Sequence, residues 1–226
     1  MKLEHVLIVY QIIAFLFAIS VHESAHAWMA NLRGDPTARM LGRITLNPIK
    51  HIDPVGTILL PALAAFAGWG ILGWAKPTPV NPHNFKHPVL DDILTSVVGP
   101  VSNFAVATGA VIVLLGVKVS SMTGRNIVVA LAYGTVPGTN SALEPISLLF
   151  FAFLEVNVLL AVFNLIPVPP LDGSHVLRHF MPESVGRAYD MLGLLGLAVL
   201  FIWGGRVLSI LFTPTLAVFL WVIRNI

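Results

Sequence analysis

Three ionisable residues stand together in the run His22-Glu23-Ser24-Ala25-His26. On a helix, the i, i+4 spacing sets both imidazoles on one face. Two ring nitrogens can then converge on one zinc ion, and Glu23 beside them can work on a zinc-bound water. The run lies in an apolar stretch. Charged groups at membrane depth cost about 2.5–3.5 kcal/mol on insertion scales for Asp, and they usually serve function. The plainer alternative is a polar kink satisfied by neighbouring helices.

Two His and a base do not complete such a site, because a catalytic zinc usually takes three protein ligands and keeps one position for water. The chain has no cysteine, which excludes disulfides and thiolate ligands. The remaining ligand must come from His or a carboxylate. Asp172 is the candidate, in Asn164-Leu-Ile-Pro-Val-Pro-Pro-Leu-Asp172-Gly173 at the end of a long apolar run. Pro167, Pro169 and Pro170 break the helix there and free backbone groups. At membrane depth such backbone is tolerated only where it is buried or lines a cavity. The same string also reads as a Pro-rich loop with a turn Asp before Gly, and the residues alone leave both readings open.

Other polar residues read more plainly. His175 and His179 are four apart but lack a neighbouring Glu, so an interfacial helix is expected, with His175 a possible partner to the site. His83 and His87 share the spacing in a Pro-bounded loop. Glu155 and Asn157 fall inside an apolar segment, where Glu155 needs a partner or water. Trp69, Trp74, Trp203 and Trp221 read as interface anchors.

The elements that carry these residues follow from composition. Of 226 residues, 56% are hydrophobic and 11% charged, against about 25% charged in soluble domains. A disordered chain and an ordinary soluble enzyme are excluded. The net charge of +2 gives no sign of a nucleic-acid partner. Apolar segments run over about 5–30, 55–74, 93–117, 145–166 and 189–223, the last long enough for two helices split near Gly204, Gly205 and Arg206. At roughly 20 residues per crossing, the length suits one transmembrane domain over 1–226. Lys2, the apolar run and Ala18-Ile19-Ser20 loosely fit a signal peptide, but Glu4 and the return of apolar residues after Ser24 favour a retained helix. Arg39-Met-Leu-Gly-Arg-Ile-Thr-Leu-Asn47 alternates partly and is expected as a short strand, a possible edge for an unwound substrate.

The His22–His26 run and the Asn164 to Gly173 run together resemble the site-2 protease family of intramembrane zinc metalloproteases. Gly99-Pro100-Val101-Ser102-Asn103 is similar to the Gly-Pro-x-x-Asn stretch of that family's central helix. Residues 73–82 look like its compact branch, which lacks PDZ and CBS domains. The resemblance covers about residues 5–180, with a C-terminal helical segment at about 188–224. It implies one zinc per chain on His22, His26 and Asp172, Glu23 as catalytic base, and Asn164 holding the substrate backbone or oxyanion. Asn103 is a weaker carry-over as a substrate contact. Ser174 after Gly173 departs from the Gly-Gly of many members without touching a ligand.

The ligands constrain topology. His22 lies roughly 25 Å along a helix begun at His5. If 55–74 crossed the membrane, Asp172 would emerge on the face opposite the histidines. If that segment re-enters instead, all three ligands approach one face. The thirteen Lys and Arg then split nine to four, a bias that puts the metal-bearing face in the cytoplasm. The expected fold is an all-α polytopic protein with about five transmembrane helices plus a re-entrant segment, or six helices. The expected activity is cleavage of transmembrane protein substrates in the lipid bilayer, in a prokaryotic plasma membrane. A metal transporter would use the same ligands but have no need of Glu23. An inactive binding relative is disfavoured by the intact Glu23.

Overall fold

The computed structural model describes residues 3–59, 74–191 and 193–226. Its helices are α1 (Leu3–Arg33), α2 (Thr37–Met40), α3 (Pro88–Ser120), α4 (Met122–Ala132), α5 (Leu143–Asn164), α6 (Asp172–Arg178), α7 (Glu183–Met191) and α8 (Gly193–Asn225). Short helical turns lie at Pro48–Lys50, Pro54–Leu59 and Pro82–Asn84. Helices α1, α3 and α5 and the Leu208–Asn225 part of α8 are long and apolar enough to cross a bilayer. The chain is a multi-pass membrane protein.

The chain divides into two compact units, 1–18 with 100–226, and 19–99. In the first, packing centres on small and branched residues at helical spacing. Ala107, Ala110, Val111 and Leu114 of α3 meet Val128 and Ala132 of α4, Leu154, Val158 and Val162 of α5, and Ile223 of α8. Lipid offers no hydrophobic drive between helices, so close approach of small residues and hydrogen bonds between helices take over. Asn103 and Asn157 supply such a bond, Nδ2 to Oδ1 at 2.8 Å.

Helix α4 is an element that hydropathy does not single out. Ser121 caps it by accepting from Gly124 N at 3.0 Å. A Cβ at Gly124 would stand 2.2 Å from Val117 O, so only glycine lets the chain turn back on α3 there. At 11 residues, about 16 Å long, α4 is too short to cross. The C-terminal stretch differs from expectation as well. It forms one helix of 33 residues running through Gly204, Gly205 and Arg206. Each Gly costs a helix only about 1 kcal/mol, less than freeing backbone groups where no water can satisfy them.

The strand expected over Arg39–Asn47 is not formed, and there is no strand among the described residues. Backbone donors in this stretch bond locally instead. Gly42 N donates to Arg39 O and Arg43 N to Ala38 O, both at 2.9 Å, and Thr45 N donates to Arg43 O at 3.0 Å. Gly42 takes φ +66°, which turns the chain after α2. The partial alternation of side chains is thus spent on turns. The apolar segment 55–74 lies largely outside the described residues, which resume at Trp74.

Candidate metal centre

In the 19–99 unit, the second half of α1 carries His22, Glu23 and His26. One helical turn brings the two Nε2 atoms to 3.0 Å, with ring centroids 4.6 Å apart and planes at 82°. Both rings are buried. His26 Nδ1 lies 2.6 Å from Thr95 O. A carbonyl only accepts, so Nδ1 carries a proton, and in the neutral ring Nε2 then keeps its lone pair. A bond of this kind to the far ring nitrogen orients a metal-binding imidazole. Nitrogens this close can both reach one zinc at the usual 2.0–2.1 Å or so.

Gly99 of α3 completes this packing. A Cβ there would stand 2.4 Å from His26 Nε2 and 2.7 Å from His22 Cε1. The glycine of the Gly-Pro-x-x-Asn stretch therefore makes room for the imidazole pair.

Glu23 has a partner that the sequence analysis did not single out. Thr78 N and Thr78 Oγ1 donate to Glu23 Oε2 at 2.8 and 2.7 Å, and Thr78 Oγ1 lies 3.0 Å from Glu23 O. Thr78 sits in an extended segment tied down on both sides. Lys76 N donates to His51 O at 2.8 Å, and Asn81 N donates to Asp35 Oδ2 at 2.7 Å. The available signal was Pro77-Thr78-Pro79, since prolines on both sides stiffen a chain and leave one N–H between them.

Asp35 anchors the far end of this segment. Its carboxylate also accepts from Asn84 Nδ2 at 2.8 Å and Thr37 N at 3.1 Å. Burial pushes its carboxyl up, but the bonds from Asn81, Thr37 and Asn84 outweigh that and hold it below the usual carboxylate range. In the same unit, Arg33 pairs with Asp91 at 2.6 Å.

Asp172 lies in the other unit, as the first residue of α6. Helix α5 stops at Asn164 and the chain turns through three prolines, with a cis Pro169-Pro170 peptide. Val168 N donates to Ile166 O at 2.8 Å and Leu171 N to Val168 O at 2.9 Å. A Cβ at Gly173 would stand 2.3 Å from Leu165 O, so the residue after Asp172 must be glycine. Ser174 is buried and donates to Leu171 O at 2.6 Å. Tyr189 OH holds Pro167 O at 2.8 Å. The turn that carries Asp172 is thus built from local bonds and one close backbone approach.

The remaining expected residues belong to the same unit as Asp172. Asn164 is half-buried and donates to Leu160 O at 3.0 Å. Asn103 is fully buried, and its amide donates to Ala18 O at 3.1 Å as well as to Asn157. Those two bonds use both of its amide hydrogens. His175 and His179 are exposed. Glu155 lines a cavity of about 190 Å³ with Tyr10, Gln11 and Thr135.

Comparison with known proteins agrees with this chemistry. The family model of peptidase family M50 matches residues 10–202. The chain is 38% identical over 176 residues to YwhC of Bacillus subtilis, named as a zinc metalloprotease, covering 78% of this chain and 71% of the relative. It is 30% identical over 175 residues to Rip2 of Mycobacterium tuberculosis strain H37Rv, also so named, covering 76% of this chain and 58% of the relative. The Rip2 of Mycolicibacterium smegmatis is 29% identical over a similar span. No solved structure matches the chain. With the matched region reaching from the first helix into the last, the chain belongs to peptidase family M50 and is a zinc metalloprotease.

Proposed function

We propose that this chain hydrolyses peptide bonds within or beside transmembrane segments of other membrane proteins, with His22, His26 and Asp172 as the protein ligands of one zinc and Glu23 as general base. The observation that carries the reading is the pair of buried imidazole Nε2 atoms 3.0 Å apart beside Glu23, on a helix apolar enough to span. Imidazole and carboxylate are the donors zinc accepts when no thiolate is present, and His22, His26 and Asp172 have that chemistry.

When bound, zinc supplies a Lewis acid for the scissile carbonyl and the attacking water. Glu23 takes a proton from that water and passes it to the departing amine. Asn164 has one amide hydrogen left for the substrate backbone or the developing oxyanion. Asn103 acts from inside the packing, holding helices together. The carboxylates of Asp172 and Glu23 offset the ion's charge in apolar surroundings. A helical substrate hides its carbonyls in intrahelical bonds, so substrates should carry helix-weakening residues near the cut.

A re-entrant path for 55–74 brings these residues to one face. It is supported by bonds between its two ends, Trp74 N to Gly56 O at 3.1 Å and Thr57 Oγ1 to Trp74 O at 2.8 Å. The ends of a single crossing would stand about 30 Å apart. With α8 one continuous helix, Arg206 falls within it and Arg224 joins Lys118, whose Nζ donates to Ile223 O at 2.7 Å. On this path the remaining Lys and Arg split eight to four, a bias that favours a cytoplasmic metal-bearing face. Accessibility labelling should find Lys50 and Lys86 on the same side, and opposite sides would overturn that topology.

The deciding experiment is co-expression with tagged single-span proteins, comparing the native chain with Glu23→Gln. The variant should retain zinc and lose cleavage by at least about 100-fold. Retained cleavage would remove Glu23 from the mechanism.

A further inference from the structure

We infer that Thr78 is a positioning residue for Glu23, fixing which carboxylate oxygen handles the proton. The inference rests on Glu23 being the general base.

Two donors of Thr78 converge on one oxygen. The backbone N–H and the hydroxyl both reach Glu23 Oε2, at 2.8 and 2.7 Å. The hydroxyl has one hydrogen and two acceptors in range. The contact to Oε2 at 2.7 Å is shorter than that to Glu23 O at 3.0 Å, so the hydroxyl hydrogen goes to the carboxylate oxygen. Oε2 is then occupied, and Oε1 is left to take the proton from water. The two bonds also hold a side chain that otherwise turns about several single bonds, and catalytic groups tolerate only about 0.5 Å of misplacement.

The sequence around Thr78 is suited to this. In Pro77-Thr78-Pro79 the neighbouring residues have no N–H, so Thr78 supplies the single backbone donor of the triplet. A residue before proline is held extended. Lys76 N on His51 O and Asn81 N on Asp35 Oδ2 anchor the segment on either side. The N–H of Thr78 is therefore aimed at Glu23 by the backbone, whatever side chain position 78 carries, and the hydroxyl supplies a separable second bond.

The test compares Thr78→Val, Thr78→Ser and Thr78→Ala in the full chain, reconstituted with a cleavable single-span substrate, with zinc content measured in parallel. Thr78→Val keeps the shape and the N–H but loses the hydroxyl. It should hold zinc and lower kcat about 10- to 100-fold, the usual range for outer-shell partners, with KM unchanged. Thr78→Ser should restore most of the turnover. Unchanged turnover, or a rise in KM alone, in Thr78→Val would overturn the inference. So would increased turnover, which would make the contact inhibitory, or loss of zinc, which would make it a metal-site support. If Thr78→Val does not fold, Thr78→Ser against Thr78→Ala isolates the hydroxyl, and equal kcat in that pair overturns the inference. Cleavage by Glu23→Gln would instead remove the base assignment on which the inference rests.

Discussion

Gly99 brings the backbone of α3 so near the imidazole pair that a Cβ there would stand 2.4 Å from His26 Nε2. The colliding atoms are the proposed ligand nitrogen and its neighbours, in buried rings. Gly99→Ala should therefore displace His26 from Thr95 O and lower zinc affinity about 10- to 100-fold, as loss of an outer-shell support does. Competition with a zinc chelator measures this directly. An unchanged affinity would show that the helices can part without cost.

Gly173→Ala tests the turn that carries Asp172. Its Cβ would meet Leu165 O at 2.3 Å and Leu165 C at 2.6 Å, which are backbone atoms with little room to move. Overpacking of this kind costs about 1–3 kcal/mol. The thermal midpoint in detergent should fall and cleavage should be lost. A variant with native stability and activity would mean that the turn relaxes freely.

Asn103 and Asn157 are both fully buried and bonded to each other. Asn103→Ala leaves Asn157 Oδ1 and Ala18 O without this donor. Coupling across a double-mutant cycle with Asn157→Ala should be about 0.6–1.7 kcal/mol, the range for bonds between membrane helices. Zinc content should stay native in both single variants, since neither residue is a proposed ligand. Additive effects on unfolding would show that the bond contributes nothing.

Asp35 predicts a pH dependence. Its carboxyl titrates lower in the folded chain than the reference 3.8. Its contribution to stability is thus complete above the unfolded value and is lost as pH falls through the depressed folded value. Asp35→Asn should be less stable than the native chain near pH 7, and the gap should close on the acid side of about pH 3.8. Unfolding midpoints for both proteins across that range measure it. A gap that widens in acid would contradict the assigned direction.

Local features of this protein were legible in its sequence because they depend on spacing along one element. An i, i+4 separation brings His22 and His26 together on any helix, and hydropathy marks α1, α3 and α5 as spans without knowledge of their neighbours. The prolines before Asp172 end α5 by their own geometry. Partners distant in sequence were not legible. Nothing within a few residues of Glu23 indicates that Thr78 will bond it, or that Gly99 will stand against His26. Nor does the sequence show that the Asn103 amide donates to Ala18 O and Asn157. The alternation over Arg39–Asn47 suggested a strand, but a strand needs a partner edge, and the backbone there found local turns. Spacing within an element determined the chemistry available to this chain. Which segments pack side by side decided how each reactive group is held, because burial and hydrogen bonding are settled only when distant segments meet.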